Sequence, residues 1–345
     1  MSPTGAPVRR APMLLHASRH PLAARVAAGL AASGTEPAAN ESLVLGVSGG
    51  SDSLAMMILV AAIRARTDRS LDSIVVVSID HGLRLENRSE AERACALAEA
   101  IGIRRARIVR GEVGGGNVLA AARVARRRAF ESVLSESGSS ALLLAHQAED
   151  RAEGLLLALS RGAGLDAAAN LVARRDFIAE SGRAYAVCRP LLECRREELR
   201  AFLVGAGVEW SEDPSNQLRA RGSLRGTPGL SRLVSDLAVS AGEYLAEAVE
   251  LLAHRDAMAR EALEATGDSI GRDALEQLPV AVQREVLRRI HAGSGSAAGR
   301  ANLDTMLGLL RSRDRTPHRF PCSEGFELVI DRNGARLSPP RRSQG

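Results

Sequence analysis

The stretch ESLVLGVSGGSDSLAMMILV, residues 41–60, decides how the rest of the chain is read. An apolar β-rich run, LVLGV, stops at Ser48, Gly49, Gly50, Ser51, Asp52 and Ser53, and a second apolar run of helical character begins at once. Glycines let a backbone approach a ligand closely, serines add hydroxyl donors, and a helix start adds unpaired amides with the positive end of the dipole. The reading is a strand, a loop built to hold phosphate, and a helix. The spacing is neither the GxxxxGK[ST] of a Walker loop nor GxGxxG. On these six residues alone, a glycine-rich turn whose Ser or Asp merely caps the helix is the plainer alternative.

Outward from this stretch, residues 42–192 alternate short β-rich runs with helical patterns: LVLGV, residues 53–66, SIVVVSID, residues 90–101, ARIVR, residues 118–136, ALLLAH, residues 148–160 and YAVCRPLL. Such alternation predicts βαβ units in a parallel sheet with helices on both faces, and ligands at the carboxyl ends of its strands. After WSEDPSNQ the style changes: residues 230–310 carry helical periodicity, followed by a weak strand pair around residues 320–330 and 334–338. The fold class expected is α/β, a doubly wound parallel sheet followed by a mainly helical second domain. The expected boundaries are a basic tail with a short helix at 1–40, the sheet domain at 41–212, a connector at 213–229 and the helical domain at 230–345.

Composition sets the outer limits. A length of 345 residues suits two domains, and no apolar run approaches the ~18 residues that span a bilayer, which excludes membrane functions. The net charge is +5, yet the chain contains no lysine, so all 46 basic residues are arginine. Schiff-base lysine chemistry and the Walker lysine are thereby excluded. Most of these arginines read as solvated charge, and the clusters at 104–110, 123–128, 189–200 and 219–232 are candidate phosphate contacts for an RNA. Aromatics at 2% argue against a stacking platform. Cys95, Cys188, Cys194 and Cys322 form no CxxC pair, so they read as reduced and structural, in keeping with a cytoplasmic protein. The first 35 residues lack acids and faintly resemble a transit peptide, but no secretory apolar core is present.

SGGSDS between a strand and a helix resembles the pyrophosphate loop of the N-type ATP pyrophosphatases, the PP-loop superfamily with its adenine nucleotide α hydrolase-like fold. The second strand end, VVVSIDHGLR, places Asp80, His81 and Arg84 beside that loop; taken alone, they are a strand-end cap and a turn. DHGLR is similar to the matching segment of the tRNA(Ile)-lysidine synthetases, as is the helix NVLAAARVARRRAFESV through Asn117, Arg123 and Arg126, with Arg127 where that family has tyrosine. On a helix Arg123, Arg126 and Arg127 share one face, a grip for phosphate or a solvated surface.

The fourth strand end, LLLAHQAEDRAEGLLLALSRGAGL, is similar to the family's AHHxDDQxET and RGxG segments. His146, Asp150, Glu153, Arg161, Gly162 and Gly164 match, whereas Gln147, Glu149, Arg151 and Gly154 depart. Acids at a helix start also compensate its dipole, so this cluster has a structural reading as well. The Asp-to-Glu change at 149 moves a carboxylate by about 1.5 Å. Arg189 in CRPLL matches, as do Asp213, Pro214, Ser215, Asn216, Arg221 and Arg225 in the DPSN and RNxxR elements, with Gly222 in place of Asn.

The resemblance covers residues 42–230 and implies ATP held by Ser48, Gly49, Gly50, Ser51, Asp52 and Ser53, with Asp80 and His81. It implies catalysis by Asp52, His146, Glu149, Asp150 and Arg225, with Asp52 and Asp150 as candidate Mg²⁺ ligands. Arg84, Arg123, Arg126, Arg161, Arg189, Asp213, Asn216 and Arg221 would meet substrate. The implied reaction ligates free L-lysine to the wobble cytidine of a CAU-anticodon tRNA(Ile) through an adenylated base. Alternatives are another PP-loop tRNA modifier, disfavoured by the absence of paired cysteines, and a non-catalytic tRNA-binding relative. Oligomeric state stays open, a homodimer included.

Overall fold

The computed structural model describes residues 10–35, 42–67, 69–80, 85–111, 118–169, 171–211, 227–264, 267, 269–293, 300–312 and 315–340. Strand β1 (Leu43–Gly46) lies at the centre of a six-stranded sheet, paired in parallel with β2 (Ile74–Asp80) on one side and β4 (Ala141–Leu144) on the other. β3 (Arg105–Arg110) extends the sheet beyond β2, and β6 (Ala184–Cys188) extends it beyond β4, both in parallel. The strand order is β3-β2-β1-β4-β6-β5. The last member, β5 (Arg174–Ile178), runs antiparallel to β6 and was not foreseen in the sequence. Its arginine-rich run RRDFI lacks the apolar signature of the buried strands, because an edge strand needs only one covered side.

Period-two alternation sends the side chains of these strands into two cores. Leu43, Leu45, Ile74, Val76, Ala141 and Leu143 pack in one, and Val44, Val75, Val77 and Leu142 in the other. Helices α1 (Arg10–Arg19), α2 (Pro21–Ala32), α3 (Ser51–Arg66), α4 (Leu85–Ala100) and α8 (Arg196–Gly205) contribute to the first core. Helix α5 (Val118–Ser137) supplies Phe130, Val133 and Leu134 to the second. α3 is apolar almost all round because α1, α2 and α8 pack on it as well as the sheet. Of the N-terminal elements, α2 occupies the residues expected for a short helix, and α1 is an additional helix preceding it.

The chain direction across the sheet reverses at β1. α3 and α4 carry it from β1 to β2 to β3 on one face, and α5 returns it on the other face to β4. This is a topological switch point, and it opens a crevice at the carboxyl ends of β1 and β4. Helix α6 (Ala148–Ser160) begins at the carboxyl end of β4.

The chain divides into two compact units, residues 1–157 with 170–243, and residues 158–169 with 244–345. The long helix α9 (Pro228–Glu264) begins in the first and ends in the second. The second unit holds α7 (Leu165–Ala168), α10 (Arg272–Glu276), α11 (Val280–Ala292) and α12 (Arg300–Arg311). It also holds an antiparallel sheet in the order β7-β10-β9-β8, from Ser269–Gly271, Gly334–Ser338, Glu327–Asp331 and His318–Pro321 respectively. Among the described residues this sheet has four strands where a pair was expected: β7 is too short to leave a periodic signal, and the run around 320–330 divides into β8 and β9. Val286, Leu287, Ile290, Met306, Leu307, Leu328 and Ile330 form its core. Arg272 is buried and donates to the Leu309, Leu310 and Asp331 carbonyls, so it caps the end of α12. Glu285, also buried, gathers Arg255, Arg288 and Arg289, and Arg255 holds Asp166 through two 2.8 Å hydrogen bonds.

Gly334 closes the β9–β10 turn at φ +136°, and a Cβ there would stand 2.0 Å from the Ile270 carbonyl oxygen. Gly334→Ala is therefore expected to destabilise the second unit by at least about 3 kcal/mol. Chemical denaturation of the variant against the unsubstituted chain measures this directly.

Candidate phosphate-loop site

The loop after β1 is shaped by its own side chains. Gly50 is the N-cap of α3, and its carbonyl accepts the Leu54 amide at 3.1 Å. Ser53, one turn into the helix, reaches back: its hydroxyl donates to the Gly50 carbonyl at 2.9 Å and accepts the Ser48 amide at 3.1 Å. With its single proton given to Gly50, Ser53 receives rather than donates in its 3.3 Å contact with the Ser48 hydroxyl. Ser53 is thus a staple that holds the loop folded over the helix start.

Gly49 stands at φ +83°, where a Cβ would lie 3.1 Å from the Glu90 carbonyl of α4. Both the turn and the neighbouring helix require glycine there. The Gly49 carbonyl accepts the Ser211 amide at 3.2 Å, so the residue preceding the Asp213 segment is tied to the loop. Asp52 is half-buried in the first turn of α3 and accepts the Ser51 hydroxyl at 3.1 Å. The first-turn amides and the dipole end of α3 suit an anion, so the loop fits the phosphates of ATP.

Across the switch point, the segment His146–Asp150 follows β4. The Gln147 side-chain oxygen accepts the Glu149 amide at 2.6 Å, while an Asp150 oxygen accepts the Gln147 amide at 3.0 Å. The two bonds make a variant of the capping box, built from Gln and Asp, in which the Gln147 side chain takes the second helical amide rather than the third. Glu149 accepts the Arg196 amide at 3.1 Å and 3.3 Å, which satisfies a backbone donor at the start of α8. Glu153 is fully buried, 3.4 Å from the Arg196 guanidinium. Two of the acids expected at the chemistry therefore also carry helix starts. The departure at 147 has a physical role: glutamine supplies the cap oxygen. His146 is half-buried at the strand end.

The departure at 151 has a structural account too. Arg151 is buried and donates to the Leu192 carbonyl at 2.7 Å and pairs with Glu193 at 2.9 Å. It runs along the bare backbone of Gly242 in α9, where a Cβ would lie 2.5 Å from its Nη2. Gly154 has open space around it, with only Leu171 at 4.0 Å; nothing here explains why it is glycine.

Asp80 ends β2, next to β1 in the sheet; its carbonyl accepts the Gly111 amide at 2.8 Å and its register partner is Arg110. Arg189 follows β6 and is buried, donating to the Val172 carbonyl at 2.9 Å, and burial pulls its guanidinium below the ordinary arginine value. Arg123 and Arg126 are exposed on α5, and Arg127 pairs there with Glu131 at 2.8 Å. Arg161 belongs to the second unit and is exposed. His81, Arg84, Asn117, Asp213, Asn216, Arg221 and Arg225 lie outside the described residues. The fold thus brings the SGGSDS loop, Asp80 and the His146–Asp150 segment to one edge of the sheet, with Arg189 two strands from the loop.

Arg93, Arg196 and Ser211 bind this edge together, and sequence reading missed all three. Arg196 was seen only as part of an arginine cluster. Contacts across 118 residues, as between Arg93 and Ser211, leave no local pattern.

The chain is similar to the tRNA(Ile)-lysidine synthase of Bradyrhizobium sp. strain BTAi1, 35% identical over 230 residues, covering 66% of this chain and 60% of that protein. The enzyme of the same name from Novosphingobium aromaticivorans is 38% identical over 210 residues, covering 59% and 61%. The chain therefore spans about 60% of the length of these relatives. Among solved structures it is similar to the U34-tRNA thiolase NcsA of Methanococcus maripaludis, at 17% identity, 65% and 79% coverage and a TM-score of 0.49, too loose a likeness to carry an argument. The model of the PP-loop domain matches residues 23–225, more than half of the chain, from α2 through the whole parallel sheet and the loop after β1: the chain belongs to the PP-loop family.

Proposed function

We propose that this chain is a tRNA(Ile)-lysidine synthetase, ligating free lysine to C2 of the wobble cytidine in a CAU-anticodon tRNA(Ile). The observation that carries the reading is the pairing, across one switch point, of an intact SGGSDS loop with the acid-bearing start of α6, in a chain of the PP-loop family. Family membership implies ATP use. The similarity to relatives named tRNA(Ile)-lysidine synthase supports the substrate, while the thiolase alternative lacks support in the cysteines, since Cys188 and Cys194 are buried in the core.

In this reading the first-turn amides of α3 hold the ATP phosphates, and the Ser48 and Ser51 hydroxyls join them only by turning from Ser53 and Asp52, to which they donate here. The cytosine O2 attacks the α-phosphate, and pyrophosphate leaves. The ε-amine of lysine then attacks the activated C2 and AMP departs, the surplus amine proton passing to a carboxylate. Of the three acids expected for that step, Asp52 is half-buried on the loop, whereas Glu149 and Asp150 are buried and already accept backbone amides. Asp52 is therefore assigned the larger share of the chemistry. Mg²⁺, which would neutralise phosphate charge, would be held by Asp52, with Asp150 as the second candidate donor. Arg123, Arg126, Arg161 and Arg189 remain proposed substrate contacts; no helix among the described residues is long and apolar enough to cross a membrane.

Incubation with CAU-anticodon tRNA(Ile), labelled lysine and ATP, followed by RNA digestion, should yield lysidine with one AMP and one pyrophosphate released per lysine. Incorporation without ATP, or into any tRNA alike, would sink the proposal; absence of ATP/pyrophosphate exchange would favour a non-catalytic relative. Asp52→Ala should abolish AMP release and leave tRNA affinity nearly unchanged.

Asp150 separates its two roles by substitution. Asp150→Ala removes the acceptor of the Gln147 amide and should cost about 1 kcal/mol of stability in urea unfolding. Asp150→Asn keeps an acceptor oxygen and should unfold like the original chain, while lysidine formation falls if the charge serves the chemistry. Equal activity in the Asn variant would confine Asp150 to capping.

A further inference from the structure

Arg93 lies outside every segment assigned to the reaction, yet it touches the phosphate loop through one intermediary. It sits on α4, three residues after Glu90, so the two share a helix face. The Glu90 carbonyl lies 3.1 Å from where a Gly49 Cβ would stand, which places α4 directly against the loop. From that face Arg93 donates through Nη2 to the Ser211 hydroxyl at 2.6 Å, and the Ser211 amide donates to the Gly49 carbonyl at 3.2 Å. The chain of contacts is α4, Arg93, Ser211, Gly49.

A trans peptide is planar, with its carbonyl and amide pointing in opposite directions. The Gly49 carbonyl and the Gly50 amide belong to one peptide unit. Holding that carbonyl on Ser211 therefore turns the Gly50 amide away from Ser211. Among the described residues this amide has no acceptor, and it stands at the N-cap of α3 beside the first-turn amides. A glycine on either side leaves this peptide unit free to rotate, so an external hold is what fixes it. Ser211 rests on no regular element and depends on Arg93, a residue of a sixteen-residue helix, for its position.

We infer that Arg93 is a positioning residue of the phosphate loop, acting through Ser211 to orient the Gly50 amide toward the nucleotide's phosphates. The inference rests on the loop's assignment to ATP. It makes a demand that a merely structural contact would not: losing Arg93 weakens nucleotide binding while leaving the fold and the affinity for lysine as they were.

The test uses the full chain and the non-hydrolysable probe α,β-methylene-ATP with Mg²⁺, read by calorimetry, alongside thermal unfolding. Arg93→Ala is expected to raise the probe's Kd about tenfold, the lower end of the worth of one charge-assisted hydrogen bond, with an unchanged Tm. Ser211→Ala removes the hydroxyl but keeps the amide and should show the same loss, and the double variant should lose no more than either single one. Arg93→Lys, which can still donate to the hydroxyl, should recover part of the affinity. Additive losses in the double variant, or a Kd within twofold of the original for Arg93→Ala, would overturn the inference and leave the loop's assignment standing. Failure of the unsubstituted chain to bind the probe would instead overturn that assignment, and the inference with it.

Discussion

The four residues of β1 have no free side. Each residue of Leu43–Gly46 is in register with a residue of β2 on one side and of β4 on the other, and the side chains of Leu43, Val44 and Leu45 alternate between two cores. At its end, a Cβ on Gly46 would stand 2.9 Å from the side chains of both Leu144 and Phe130, so any larger residue there would have to displace them. A strand fixed on both edges and both faces delivers the following loop to one place and in one orientation. Everything proposed for the site presumes that rigidity: the staple by Ser53, the contact with α4 and the hold by Ser211 all act on a loop whose root cannot move.

Legibility in the sequence followed the range of the interactions. The parallel sheet, the phosphate loop and the strand-end positions of Asp80 and His146 could be read because each rests on local periodicity or on contiguous residues. β5 escaped because it is an edge strand of charged residues, and β7 because three residues carry no period. The capping box at α6 had a signal in retrospect, an amide side chain followed three residues later by a carboxylate, but Gln in place of Ser or Thr disguised it.

The acids at the start of α6 cap helices, and the proposed chemistry would draw on the same groups. A helix start needs acceptors for its amides, and adenylation chemistry needs negative charge near a cation, so carboxylates at this position are called for on both grounds. Sequence could name the residues but could not apportion the roles, because both draw on the same pattern. The hydrogen bonds apportion part of it: Glu149 supports α8, Asp150 supports α6, and Asp52 is left the more accessible of the three.

Arg151 and Gly242 occupy one volume. The guanidinium fills the space that a side chain at 242 would need, and the bare backbone at 242 is what lets the guanidinium reach Leu192 and Glu193. A side chain at 242 would push the guanidinium off its partners Leu192 and Glu193, although 91 positions separate the two residues. The two form a linked pair: a shorter residue at 151 would leave room for a side chain at 242. The start of α6 and the middle of α9, two places that share no motif, are thereby joined through a single side chain.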